Sequence, residues 1–231
     1  MHSSSSSGLA GDGQYPLYEA RWEHDACGIG FLAHISGASS HQLVEQALTA
    51  LVNLTHRGAQ DADAETSDGC GLLTALPHTL LLAELQQRGI SVANPTDLAV
   101  GMFFLPADES ANAQARHIVE QTLDELTLPR LLWRNPPLDA TVPGSRARAS
   151  MPAITQILLQ RPAQLSSDEY ERALYHARRL IERRWQDAQL DEGYIASFSS
   201  RTIVYKGLLA PNQLASFYHD LADERYSSSF V

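Results

Sequence analysis

Apolar segments of strand length and amphipathic helical segments follow one another along this chain without a regular βα alternation, and that order most limits its fold. Paired strands precede and follow helical stretches, which suggests an α+β protein with helices layered on sheets rather than a doubly wound parallel sheet. Strands are read at CGIGFLAHI from Cys27, GCGLLTAL (Gly69 to Leu76), LAVGMFFLP and AITQILLQRP from Ala153, with LPRLLWRNPP extended. The first of these reads as a buried strand. Ser39 with Gln42 makes a capping box ahead of one helical face, Val44, Ala47, Leu48 and Leu51, ending near Thr55-His56-Arg57-Gly58. HTLLLAELQQRG is a helix stopped by Gly89, and Asp108 opens another that runs to about Leu126. Ser166 and Glu169 form a second capping box, followed by a face of Tyr170, Ala173, Leu174, Ala177 and Ile181 through about Trp185. GYIASFSS and TIVYKGLL predict a hairpin turning at Ser200-Arg201. A last helix, Pro211 to Ala222, leads into SSSFV, the start of another strand.

With 231 residues, 44% hydrophobic and 19% charged, the chain can bury a sizeable core. Its formal net charge of −10 argues against a nucleic-acid partner. No apolar run approaches the ~20 residues of a membrane span, and MHSSSSSGLAGDGQYP has no apolar signal-peptide core. Two cysteines, Cys27 and Cys70, are too few for a disulfide framework, so a cytoplasmic location is expected, with each thiol free for packing or chemistry. Residues 1–26 are Ser- and Gly-rich, then polar, and read as a flexible leader whose first residues resemble a tag remnant. No G-x-G-x-x-G, P-loop or internal repeat is present.

Cys27 stands at the first residue of a strand, directly after that leader. A thiol acts as a nucleophile once a base or a lowered pKa makes it a thiolate. A papain-like partnership with a distant His is one option among nine histidines. Another needs no second side chain: if the bond before Cys27 is cut, the freed α-amino group, with a reference pKa of ~8, can shuttle the proton. The plain alternative is a small buried hydrophobe, and Cys70 is read that way.

LYEARWEHDACGIGFLAHISG and ALTALVNLTHRGAQDADAETSDGCGLLTALP resemble the start of the glutamate synthase large subunit. The resemblance continues in the same order through VGMFFLP, ASMPAITQILLQRP, ERALYHARRLIERR, SFSSRTIVYKGLL and FYHDLADERYSSSFV. It implies the front of a class II glutamine amidotransferase domain over residues 27–231. The fold implied is an αββα sandwich of the N-terminal-nucleophile hydrolase type, incomplete at its C-terminus. Removal of the leader 1–26 would expose Cys27, whose sulfur would attack glutamine while its amino group acts as base. Arg57, in the matching His-Arg-Gly segment, would shape the glutamine pocket; its plain role is a cation at a helix C-terminus, typically worth about 0.3–1 kcal/mol. Asp68 and Gly69 match a turn before the second strand, and Ser200, Arg201 and Lys206 read as structural.

In the family, the strand that begins like SSSFV runs on into an Arg-Phe-Ser-Thr segment that grips the glutamine carboxylate, and an Asn-Gly pair further on supplies an oxyanion hole. Neither motif occurs in this sequence. Loss of one oxyanion donor costs on the order of 10²–10³ in rate. The chain is therefore expected to be a fragment, inactive alone, of a parent that feeds ammonia to 2-oxoglutarate amination. No metal site and no cofactor are expected in this chain. FMN and an iron–sulfur cluster are implied for the parent's other parts, and the implied partners are those synthase domains and a small reductase subunit. Two alternatives stand beside this reading: a catalytically inactive stand-alone module for interaction or regulation, and another class II amidotransferase making amidophosphoribosyl or amino-sugar products.

Overall fold

The computed structural model describes residues 28–55 and 67–231. The leader, Cys27 and the His56-Arg57-Gly58 segment lie outside the described residues. The architecture is the expected α+β one, built on two antiparallel sheets. Strands β1 (Cys70–Ala75) and β6 (Thr202–Gly207) pair with each other, and β3 (Arg130–Arg134), β4 (Ala153–Gln160), β2 (Leu98–Leu105) and β5 (Tyr194–Ser199) form a larger sheet in the order β3-β4-β2-β5. Helices α1 (His41–Asn53), α2 (His78–Gln87), α3 (Glu109–Glu125), the short α4 (Ser145–Ala149), α5 (Ser167–Asp187) and α6 (Leu214–Phe217) surround them.

β2 is buried along its whole length, because apolar cores press on both of its faces. Ala99, Phe103 and Leu105 face one core, shared with Ala115, Val119 and Leu123 of α3 and Leu174, Ala177 and Ile181 of α5. The Phe103 ring meets Trp133, Trp185 and Phe198 edge-on at 5.6, 5.9 and 5.8 Å, an arrangement that aromatic quadrupoles favour. Val100, Met102 and Phe104 face the second core, with Leu72 of β1, Ile203 and Tyr205 of β6, and Leu80, Leu81 and Leu85 of α2. A strand covered on both sides reads as an unbroken apolar run, as LAVGMFFL does.

The capping signals locate most helix starts. Asp108 Oδ1 accepts from Ala111 N at 2.9 Å, and Ser166 with Glu169 makes the reciprocal box that opens α5. Tyr170, Leu174, Ala177, Ile181 and Trp185 are buried along α5. Gly89, at φ +73, ends α2 in the left-handed region. At α1 the cap is Ser40, not Ser39: its extended backbone pairs with Ser228, and its hydroxyl accepts from Leu43 N at 3.2 Å.

Three further expectations are corrected. β5 and β6 are not a ladder-paired hairpin: after the Ser200-Arg201 turn the chain leaves the large sheet for the small one, and the Val204 N–H bonds Ser197 Oγ at 3.1 Å. The expected helix over 211–222 is broken into a turn of 3₁₀ helix, α6, and a second 3₁₀ turn, His219–Ala222. Tyr218 is extended because its strand-like backbone bridges Leu138, with Asp139 N donating to Phe217 O and His219 N to Pro137 O. The described part of the first apolar segment is not buried either. Ile29, Phe31 and Ile35 are exposed, and the segment is held by backbone pairing of Leu32–His34 with Ser229–Val231.

A guanidinium joins these layers. Arg134, at the end of β3, is 2% exposed. It grips Glu84 of α2 in two bonds, at 2.6 and 2.5 Å, and Asp220 in two more, each 2.7 Å. Arg134 Nη1 also donates to Gln156 Oε1 on β4 at 2.8 Å, and Gln156 Nε2 donates to the Tyr205 hydroxyl at 3.1 Å. That hydroxyl in turn donates to Asp220 at 2.7 Å, so a continuous polar network links the large sheet to the small one. Burial alone would push the Arg134 pKa down, but the bonds to Glu84 and Asp220 outweigh it and hold the cation above its ordinary value. Glu84 is held below its ordinary value of 4.5, first by its hydrogen bond from Arg134. Its share of the stability is therefore full above about pH 4.5 and lost as pH falls through the depressed value. Arg134→Leu strands Asp220 as a buried unpaired carboxylate and is expected to cost about 3–5 kcal/mol in urea denaturation at pH 7. It should also flatten the acid side of the stability profile; a loss below about 1 kcal/mol would contradict the role.

Candidate functional site

Gly69 makes the tight entry to β1 possible. It sits at φ +108, and a Cβ there would lie 2.8 Å from the Gly207 carbonyl oxygen across the small sheet. Ser67 supports the turn, accepting from Gly69 N at 3.2 Å and donating to Asp68 Oδ1 at 3.2 Å. Gly71 is equally confined, since its Cβ would meet the Lys206 Cβ at 2.6 Å. The S-D-G-C-G pattern thus brings the start of β1 hard against the end of β6.

A cavity of about 1090 Å³ opens at this junction. Asp68 through Leu73 with Val204 and Lys206 through Leu209 form one wall, Phe104 and Leu105 at the end of β2 with Pro106 and Ala107 after it another, and Ala147 with Ala149–Pro152 a third. Tyr194 lies across it, stacked on Phe104 at 5.0 Å, with the Lys206 ammonium 4.9 Å from the Tyr194 ring centroid. The Tyr194 hydroxyl is buried without a hydrogen-bond partner. The Lys206 carbonyl is held from behind by the Tyr218 hydroxyl at 2.7 Å.

Of the residues singled out in the sequence, the structure brings Asp68, Gly69, Cys70 and Lys206 together on this cavity. Ser200 and Arg201 lie at the opposite end of β6. Ser200 is buried, and both its N–H and its hydroxyl bond Glu171 Oε1 at 2.5 Å. Arg201 pairs with Asp168, and its carbonyl accepts from Leu76 N at 3.1 Å. These contacts fasten the β5–β6 connection to α5. Cys27 and Arg57, the two candidate site residues, lie outside the described residues. Sequence reading missed the Arg134 network that joins the two sheets. Its partners stand 50 and 86 residues away along the chain, and no local pattern announces them.

Among the described residues no group of three or more His, Cys, Asp and Glu side chains could hold a metal ion. The chain's two cysteines also fall short of the four thiolates that an iron–sulfur cluster takes, so such a cluster does not fit this segment. Cys70 is half-buried, and burial first, then the nearby Asp68 carboxylate, push its thiol up to about 12. At pH 7 only on the order of one molecule in 10⁵ carries the thiolate. Cys70 packs, partly buried, against the second core at the edge of the cavity. In a timed iodoacetamide reaction followed by peptide mapping, Cys70 should stay unmodified at pH 7–8 and react only as pH climbs toward about 12; rapid labelling at pH 7 would overturn the assignment.

The family model for class-II glutamine amidotransferases matches residues 27–231, starting on Cys27. The chain is 40% identical over 230 residues to ferredoxin-dependent glutamate synthase 2 of Synechocystis sp., a match covering 97% of this chain and 14% of the relative. It is 40% identical over 216 residues to the chloroplastic ferredoxin-dependent glutamate synthase of Oryza sativa, covering 93% of this chain and 13% of that protein. Against the large chain of NADPH glutamate synthase from Azospirillum brasilense it is 38% identical over 215 residues, or 93% of this chain and 14% of the relative. The chain therefore spans only about a seventh of the length of these curated relatives. With mixed helices and antiparallel sheets and a family match over nearly its whole length, the chain belongs to the class-II glutamine amidotransferases.

Proposed function

We propose that this segment is the glutamine-hydrolysing part of a glutamate synthase, with Cys27 as an N-terminal nucleophile. The observation that carries the reading is that the family match begins on Cys27 itself, directly after a Ser- and Gly-rich leader. With the leader 1–26 removed, the α-amino group of Cys27 takes the thiol proton as the sulfur attacks the side-chain amide carbon of glutamine. An S–C bond forms, the C–N bond breaks, and ammonia leaves with that proton, giving a γ-glutamyl thioester. Water, deprotonated by the same amine, then releases glutamate and restores the thiol. Arg57 helps shape the pocket for glutamine, and its guanidinium suits a planar polar group.

Ammonia so formed passes to synthase domains that aminate 2-oxoglutarate, where flavin and iron–sulfur chemistry supplies the electrons. Relatives named for ferredoxin and for NADPH match this segment about equally well, at 40% and 38% identity. That supports a module whose chemistry is independent of the electron donor.

In the full-length enzyme, Cys27→Ala should lower glutamine-dependent glutamate formation by at least ~10³-fold. Added ammonium salt should bypass the defect. Unchanged turnover with glutamine would sink the assignment.

A further inference from the structure

We draw no further inference here: the strongest candidate, the cavity between the small sheet and α4 where the Tyr194 hydroxyl is buried without a hydrogen-bond partner, belongs to the site already described, and nothing in the structure shows what covers its open face at Leu73 and Leu208.

Discussion

The buried Arg134 guanidinium is the contact on which the other parts of the structure converge. It carries β3, yet its partners belong to α2, β4 and the turn after α6, and through Gln156 and Tyr205 it reaches the small sheet. Two carboxylates on one cation leave the cluster formally negative, and a buried charge is tolerable only where its hydrogen bonds are complete. Here they are. Burial, before any other cause, keeps the Tyr205 phenol protonated and so able to donate to Asp220. A network with several distant members specifies one arrangement of the layers, whereas apolar surfaces alone would tolerate sliding.

From Asp220 the hydrogen-bonded chain continues toward β1 and α1. Six residues later the Tyr226 hydroxyl bonds Thr74 Oγ1 on β1 at 2.7 Å, and the Tyr226 carbonyl bonds His41 Nδ1 at 2.8 Å. Ser228 follows, bonding Ala75 N, and then Ser229–Val231, whose backbone pairs with Leu32–His34. The large sheet, packed under α3 and α5, acts as a rigid base. From it hydrogen bonds lead to Ser229–Val231, whose Val231 packs with Leu32 against the second core.

Local chemistry was readable in the sequence where a short-range rule governs it. The Ser166/Glu169 box, the Asp108 cap, the Gly89 stop and the apolar face of α5 all depend on residues three or four apart, and each is found in place. The α+β layering also follows from element order. What the sequence concealed was set by partners far along the chain. Arg134 reads as a charged strand end, with nothing beside it to mark burial among Glu84 and Asp220. β5 and β6 look like a hairpin, but each finds a better partner in β2 and β1. Tyr218 breaks an apparently continuous helix because Leu138 competes for its backbone. Of the candidate site, Asp68 and Gly69 were picked out by resemblance to the family's turn, where the Gly207 approach demands glycine, and the roles of Cys27 and Arg57 likewise rest on that resemblance.

The proposed chemistry requires a free amino group on Cys27, and the intact mass of the mature full-length polypeptide reports this directly. A mass corresponding to a chain that begins at Cys27, with residues 1–26 gone, is the result expected. A fully active enzyme that retains the Ala26–Cys27 bond would contradict the assignment of that amine as the base.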